Sequence, residues 1–518
     1  MLTHNDLITL GVQLGYKDLE AGLCNGFNCM WLQAYFCDQL PAFYKRLRII
    51  HQHKDHIHLL VERIRMAQEN NQRTTVDLEF LDILAFYEGM TLYLKPEDYQ
   101  FLFPNFPTLN QEDIDVIFEL IKPVLLNNQQ LNFYYDHEYV LTEKEFISLF
   151  SRFANIFAHS LEPIALLVSC SDHTVSLAYN DKTSQWLYMD VNSLNNCESL
   201  NYHWEVDTLK LFNTLQTSFR SMIYLSFNVK ILSTHHTYPI KEQFQSLSNC
   251  TPISEIGRTD SKGVGLLYLA CQNGNINHVR QLLQQGYTWE LNRKNKDGLN
   301  PFLITCLYGY ADILSLLQNS SVEYQVNAAN NEGATALHLA CASGHARIVE
   351  ELLNHPKLQV NQTNHSGVTP LYIACQTGHD EIVALLLQHK QLQPLDTIGL
   401  EGHTPLMVAC LSPRTQNNKK LFTLLLAHGA SMTLKNNAGQ TALDIAVSTN
   451  NSAAIDVLSL WLLHHPQQLS QFMSPLTFTT IDKKYLHKSR INKEPLTFFN
   501  KQNMAIEAEP INRCSLKV

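Results

Sequence analysis

The nine-residue stretch Gly333-Ala-Thr-Ala-Leu-His-Leu-Ala-Cys341 decides what the second half of this chain is, because it keeps returning. Its counterparts are Gly263-VGLLYLA-Cys271, Gly298-LNPFLIT-Cys306, Gly367-VTPLYIA-Cys375, Gly402-HTPLMVA-Cys410 and Gly439-QTALDIA-Val447. The leading glycines stand 35, 35, 34, 35 and 37 residues apart. A period of that size marks a stacked repeat. Gly takes the turn, Thr caps the helix that follows, and Pro fits its first turn. Leu and Ala then face the neighbouring copies. Each phrase is followed by a second segment with apolar residues at helical spacing, such as HARIVEELLN, HDEIVALLLQH and KKLFTLLLAHG.

Outward from that phrase, the stretch 257–465 resembles a stack of six ankyrin repeats, at about 257–291, 292–326, 327–360, 361–395, 396–432 and 433–465. No single repeat can bury its own apolar face, so the copies depend on one another. The first lacks Thr-Pro and the last ends in Trp461-Leu-Leu-His-His465, the irregularity expected of capping repeats. Residues inside the phrases are packing residues. Binding belongs on the hairpin tips and the concave face. The tip candidates are Arg293, Lys294, Asn295 and Lys296; Ala329, Asn330 and Asn331; Asn364 and His365; and Asn436 and Asn437. The implied partner is a protein.

The whole chain has 518 residues, 45% hydrophobic and 17% charged, with a net charge of −10. An acidic balance disfavours direct nucleic-acid or anionic-membrane binding. No apolar run approaches the length of a membrane-spanning helix, so no membrane insertion is expected. The first twenty residues lack a basic segment followed by an apolar one, so a Sec-type signal is not expected. Five of the twelve cysteines occupy the closing position of the repeat phrase, where they act as small buried hydrophobes suited to a reducing compartment.

Residues 1–235 carry no repeat. A helix is predicted from Cys24 to about Leu40, with Phe27, Met30, Trp31, Ala34 and Tyr35 as its apolar stripe. A helical block follows (about 41–160), with helices near 55–70, 76–93, 110–126 and 142–157. Strands are then predicted over 163–170, 173–180 and 186–192, a helix near 205–219 and a last strand over 221–232, before a linker at 236–256. Within this region Cys24 lies between Gly22 and Gly26 at a helix start, where the partial positive charge favours an anion. His173 opens one strand, and Asp190 ends the next, seventeen residues on. A nucleophilic thiol needs such a base and a group to orient the base. Cys29 and Cys37 lack the glycine frame. His137, His159 and His203 are the other histidines open as bases, and Asp172 and Asp207 the other acids. His51, His53, His56 and His58 do not share one helix face, so no metal is expected there, and no cofactor motif is present.

Gly22-Leu-Cys24-Asn-Gly26-Phe27, with Trp31 behind it, resembles the nucleophile segment of the YopT-like cysteine proteases. His173-Thr-Val-Ser-Leu-Ala-Tyr179 and Trp186-Leu-Tyr-Met-Asp190-Val-Asn192 resemble that family's His and Asp strands. The resemblance implies an α+β papain-like cysteine protease domain followed by an all-α ankyrin-repeat solenoid, with Cys24 as nucleophile, His173 as base and Asp190 as orienting acid. Six residues before Cys24, near where that family places an oxyanion donor, this chain has Asp18; Gln13 is farther off. The combination of domains also resembles the ankyrin-repeat type IV effectors of Legionella. That implies secretion without a Sec signal, action in a host cytoplasm or nucleus, and a secretion signal within 466–518, where Glu507 and Glu509 make a short acidic patch. The expected activity is thiol hydrolysis or acyl transfer on a host protein. The alternative is a non-catalytic adaptor that works by binding alone.

Overall fold

A computed structural model describes residues 2–16, 23–69, 75–94, 132–160, 163–196, 204–221, 223–234, 257–319, 324–392 and 394–465, with Leu19, Gln243 and Phe244. The chain divides into two compact units between Lys296 and Asp297. The first repeat therefore belongs to the N-terminal unit. The helix predicted near 110–126, His203, Asp18 and the 466–518 extension lie outside the described residues.

In the first unit, α1 (His4–Gln13), α2 (Leu23–Phe36), α3 (Leu40–Gln52), α4 (Ile57–Glu69) and α5 (Thr75–Leu94) precede the sheet. Strands β1 (Asn132–Leu141), β2 (Ile164–Ser169), β3 (Thr174–Asn180), β4 (Gln185–Met189), β5 (Trp204–Val206) and β6 (Leu225–Ser233) pair antiparallel in the order β1-β6-β2-β3-β4-β5. Helices α6 (Glu143–Ala158) and α7 (Thr208–Ser218) lie between strands in sequence. The expected uninterrupted helical block is corrected by β1. Its ladder partner is β6, about ninety residues later.

Alternate residues of β2 enter two different cores. Ala165 and Leu167 join the helices α1 to α5, while Leu166 and Val168 join α6, α7 and a cluster of Phe and Trp rings. A strand covered on both faces reads as a continuous apolar run, which is how Ile164–Ser169 reads. Helix α2 is apolar nearly all round and correspondingly buried, with Phe27, Trp31 and Leu32 fully enclosed. Gly26 lets it lie against α5: a Cβ there would come within 2.5 Å of the Met90 carbonyl oxygen.

The first repeat contributes α8 (Leu266–Gln272) and α9 (Ile276–Gln284). Where the other phrases have a capping Thr or Asn, this one has Gly265, and a distant side chain supplies the cap. Glu290 Oε2 accepts from the Leu267 N–H at 2.8 Å. Burial pushes the Glu290 carboxyl up to about 7 against those backbone donors.

The second unit consists of five further helix pairs: α10 (Pro301–Tyr308) and α11 (Ala311–Gln318), α12 (Ala336–Ser343) and α13 (Ala346–Leu353), α14 (Pro370–Thr377) and α15 (Asp380–Gln388), α16 (Pro405–Leu411) and α17 (Lys419–Ala427), α18 (Ala442–Ser448) and α19 (Ser452–His464). Asn300, Thr369, Thr404 and Thr441 cap the first helices through their side chains, as the phrase predicts. Cys306, Cys341, Cys375 and Cys410 are fully buried in one continuous core. Adjacent hairpins are tied by backbone bonds, His365 N–H to Glu332 O and Asn437 N–H to Glu401 O among them.

Candidate functional site

Cys24, His173 and Asp190 come together at one end of the neighbouring strands β3 and β4. Helix α2 carries Cys24 in its first turn, half-buried. Asn28, one turn on, donates from Nδ2 to the Cys24 carbonyl and to the Thr174 carbonyl, both at 2.8 Å, and Ser176 Oγ donates to the Asn28 carbonyl. These bonds set α2 against the beginning of β3. His173 immediately precedes β3, and Asp190 immediately follows β4, whose last ladder pair is Ser176 with Met189.

His173 Nε2 lies 2.8 Å from Asp190 Oδ1, and Cys24 lies beside the same ring. Burial by itself would lower the His173 pKa, but Asp190 and Cys24 override it and raise the value to about 10. Asp190 is fully enclosed, and four groups besides His173 bond its carboxylate. Asn192 N–H donates to Oδ1 at 2.8 Å; Tyr188 Oη and Ser218 Oγ, each at 2.8 Å, and Ser193 Oγ at 3.3 Å donate to Oδ2. Burial would raise its pKa, yet His173 and these donors hold it below the ordinary range. The carboxylate is thus fixed in place as an anion, and it fixes the ring. Phe219 meets that ring edge-on.

His4 is a member of this site that sequence reasoning missed. It lies at the start of α1, which packs on the turn after Asp190, near Asn192 and His173. Its Nε2 is buried without a partner among the described residues. Burial first, then the nearby His173, lowers its pKa. Nothing in the local sequence marks His4, because only the packing of α1 brings it in. The other histidines open as bases go elsewhere: His137 stacks on His278, and His159 Nδ1 bonds the Asn155 carbonyl. Asp172 pairs with Lys262, and Asp207 caps α7. Gln13 is exposed at the end of α1. The loop before His173 touches the first repeat: Lys262 Nζ reaches Asp172 Oδ1 at 2.5 Å and Gln272 Nε2 donates to the Ser171 carbonyl at 2.9 Å.

Among the hairpin-tip candidates, Arg293, Lys294, Lys296, Asn331, His365 and Asn437 are exposed, and Ala329, Asn330 and Asn364 are half-buried. Asn295 and Asn436 are buried. Asn330, Asn364 and Asn436 accept backbone N–H groups of their own turns, so their side chains shape the hairpin. Sequence reasoning passed over Ile398, Leu400, Leu411 and Leu434, which are exposed large hydrophobic side chains. Leu411 lines a cleft with Glu401, His403, Asn437 and Gln440.

The chain contains ankyrin repeats: a family model described as ankyrin repeats, in three copies, matches residues 267–364, 318–397 and 348–436. Ankyrin repeats imply protein partners. Among solved structures, the chain is similar to the ankyrin repeat domain of Bcl-3, a unique member of the IkappaB protein family. That likeness has 25% identity and a TM-score of 0.34, and covers 39% of this chain and 87% of that one. No curated protein matches. Among the described residues, no helix is long and apolar enough to cross a membrane.

Proposed function

We propose that this protein is a thiol enzyme that acts on a protein delivered by its ankyrin repeats. The observation that carries the reading is the His173–Asp190 bond of 2.8 Å with Cys24 beside the same ring. Cys24 gives its proton to His173 and its sulfur attacks a carbonyl carbon, forming a tetrahedral adduct. The adduct collapses to an acyl thioester as His173 passes the proton to the leaving amine. Water, or another nucleophile, then releases the acyl group with the same histidine as base. Hydrolysis and acyl transfer share these steps, and the choice lies in the second nucleophile. The α+β arrangement of α2 packed against an antiparallel sheet is what supports a papain-like reading. The first repeat abutting the loop before His173 suits delivery of a partner to the thiol.

The test is alkylation of Cys24 by iodoacetamide, followed by peptide mass spectrometry, in wild type and His173→Ala. The reading requires Cys24 to react faster than the same thiol in unfolded protein and to slow when His173 is lost. Equal rates in the two folded proteins would overturn it.

A second reading, an adaptor with a retired site, is favoured by Gln13 being exposed at the far end of α1 and by the sequence having Asp18, not Gln or Asn, six residues before Cys24. It requires Cys24→Ala to leave the cellular effect intact. On the resemblance to type IV effectors, we also place its action in a host cytoplasm or nucleus. Loss of translocation of a reporter fusion on removing 466–518 is the outcome that reading requires.

A further inference from the structure

We propose that His137, Glu138 and His278 bind a divalent transition-metal ion, zinc by preference, which clamps the first repeat to the sheet. One ligand atom from each residue falls within 4.8 Å of the others. β1 is the edge strand of the sheet, and His137 and Glu138 are consecutive in it, so their side chains leave opposite faces. They can converge only around the edge of the sheet, and α9 brings His278 there, 140 residues on in sequence.

Glu138 is 1% exposed and His278 7%. His278 Nδ1 lies 2.5 Å from Glu138 Oε2, and the His137 and His278 rings stack at 4.1 Å with 20° between their planes. The His278–Glu138 bond and the ring stack hold the three groups together within reach of a shared ion. Neighbours hold the carboxylate in place as the outer partners of a metal ligand do. Asn228 donates to Oε1 at 3.0 Å, Asn275 donates to Oε2 at 3.2 Å, and Asn228 also donates to Asp136 at 2.5 Å.

Two imidazoles and one carboxylate suit zinc, whereas calcium and magnesium favour all-oxygen sets. Tetrahedral zinc with bonds of about 2.1 Å separates its ligands by roughly 3.4 Å, so His278 Nδ1 and Glu138 Oε2, now 2.5 Å apart, need to open by about an ångström to admit the ion, and wider pairs need to close. The fourth position is left to water. The ion would hold two segments far apart in sequence, making the clamp structural and independent of the thiol site.

The experiment uses the full chain, freed of metal by chelator and titrated with Zn²⁺ by calorimetry, with metal content measured after gel filtration. The expected result is about one zinc per chain, unchanged in Cys24→Ala. Loss of an outer partner typically costs about 10–100-fold in metal affinity, so loss of the ligand in His137→Ala should cost at least about 100-fold. Co²⁺ should give visible d–d bands without the charge-transfer band of a thiolate ligand. His137 is only half-buried, so its variant tests the ion without emptying the core; circular dichroism checks the fold. Wild-type melting is the second readout, and the expected shift with zinc is upward. Zinc held equally by His137→Ala, a thiolate band with Co²⁺, or melting indifferent to zinc would each overturn the assignment.

Discussion

Asn28 and Thr174 are joined directly across 146 positions of sequence: Asn28 Nδ2, buried within α2, donates to the Thr174 carbonyl at the start of β3 at 2.8 Å. The same nitrogen donates to the carbonyl of Cys24. One amide therefore sets the helix that carries the thiol against the strand that follows the histidine.

Replacing Asn28 with Ala should remove the bond to the buried Thr174 carbonyl and destabilise the fold by about 1–3 kcal/mol. Urea melts measure that loss. Because the amide also sets the distance between Cys24 and His173, alkylation of Cys24 should slow in Asn28→Ala under conditions where the variant is fully folded. An alkylation rate equal to wild type would mean that Asn28 has no part in positioning the thiol.

The His173–Asp190 pair should leave its mark on stability as a function of pH. His173 has its pKa raised from 6.5 to about 10 in the folded protein. A raised group contributes fully below its unfolded value, and its contribution fades as pH climbs through the folded one. Asp190 has its pKa lowered from 3.8, so its contribution is present above that value and is lost as pH falls through the folded one. The pair should therefore stabilise most between about 3.8 and 6.5. The advantage of wild type over His173→Gln, followed by chemical unfolding, should shrink from pH 6.5 towards about 10.

Glu290 titrates differently. Its carboxyl, raised from 4.5 to about 7, contributes stability that is complete below 4.5 and fades as pH rises through about 7. Glu290→Gln keeps a carbonyl oxygen to accept the Leu267 N–H and removes the charge. The variant should equal or exceed wild type in stability above neutrality, with a flatter profile between pH 4.5 and 7. A steep profile that survives in the variant would assign the titration to another group.

In the repeats, two neighbouring asparagines should behave oppositely. Asn436 is buried, accepts from the Ala438 and Gln440 N–H groups, and bonds His403 Nε2 through its own amide. Asn436→Ala should lower stability by about 1–3 kcal/mol. Asn437 is exposed, and Asn437→Ala should change stability by less than about 0.5 kcal/mol. Ile398→Ser with Leu400→Ser should likewise leave melting almost unchanged while weakening capture of a protein partner. Calorimetric melts and a pull-down with each variant separate the two effects.

The amino-acid sequence by itself determined the repeats, their caps and their buried cysteines. The reason is physical: each repeat packs on its neighbours in sequence, so the pattern that builds it is local and recurs. It also singled out Cys24, His173 and Asp190, because a glycine-framed helix start and two adjacent strands are short-range features. What it could not carry depends on contacts between distant segments. Strand β1, rich in Phe and Tyr as strands are, takes its partner from β6 and lies in a region otherwise read as helix. His4 reaches the site only because α1 packs on the turn after Asp190, and Glu290 caps α8 only because the chain folds back past Gly265. Asn436 and Asn437 read alike as hairpin tips, and burial alone separated them. Tertiary structure decided these points because solvent exposure and long-range hydrogen bonds belong to the folded surface, not to spacing along the chain.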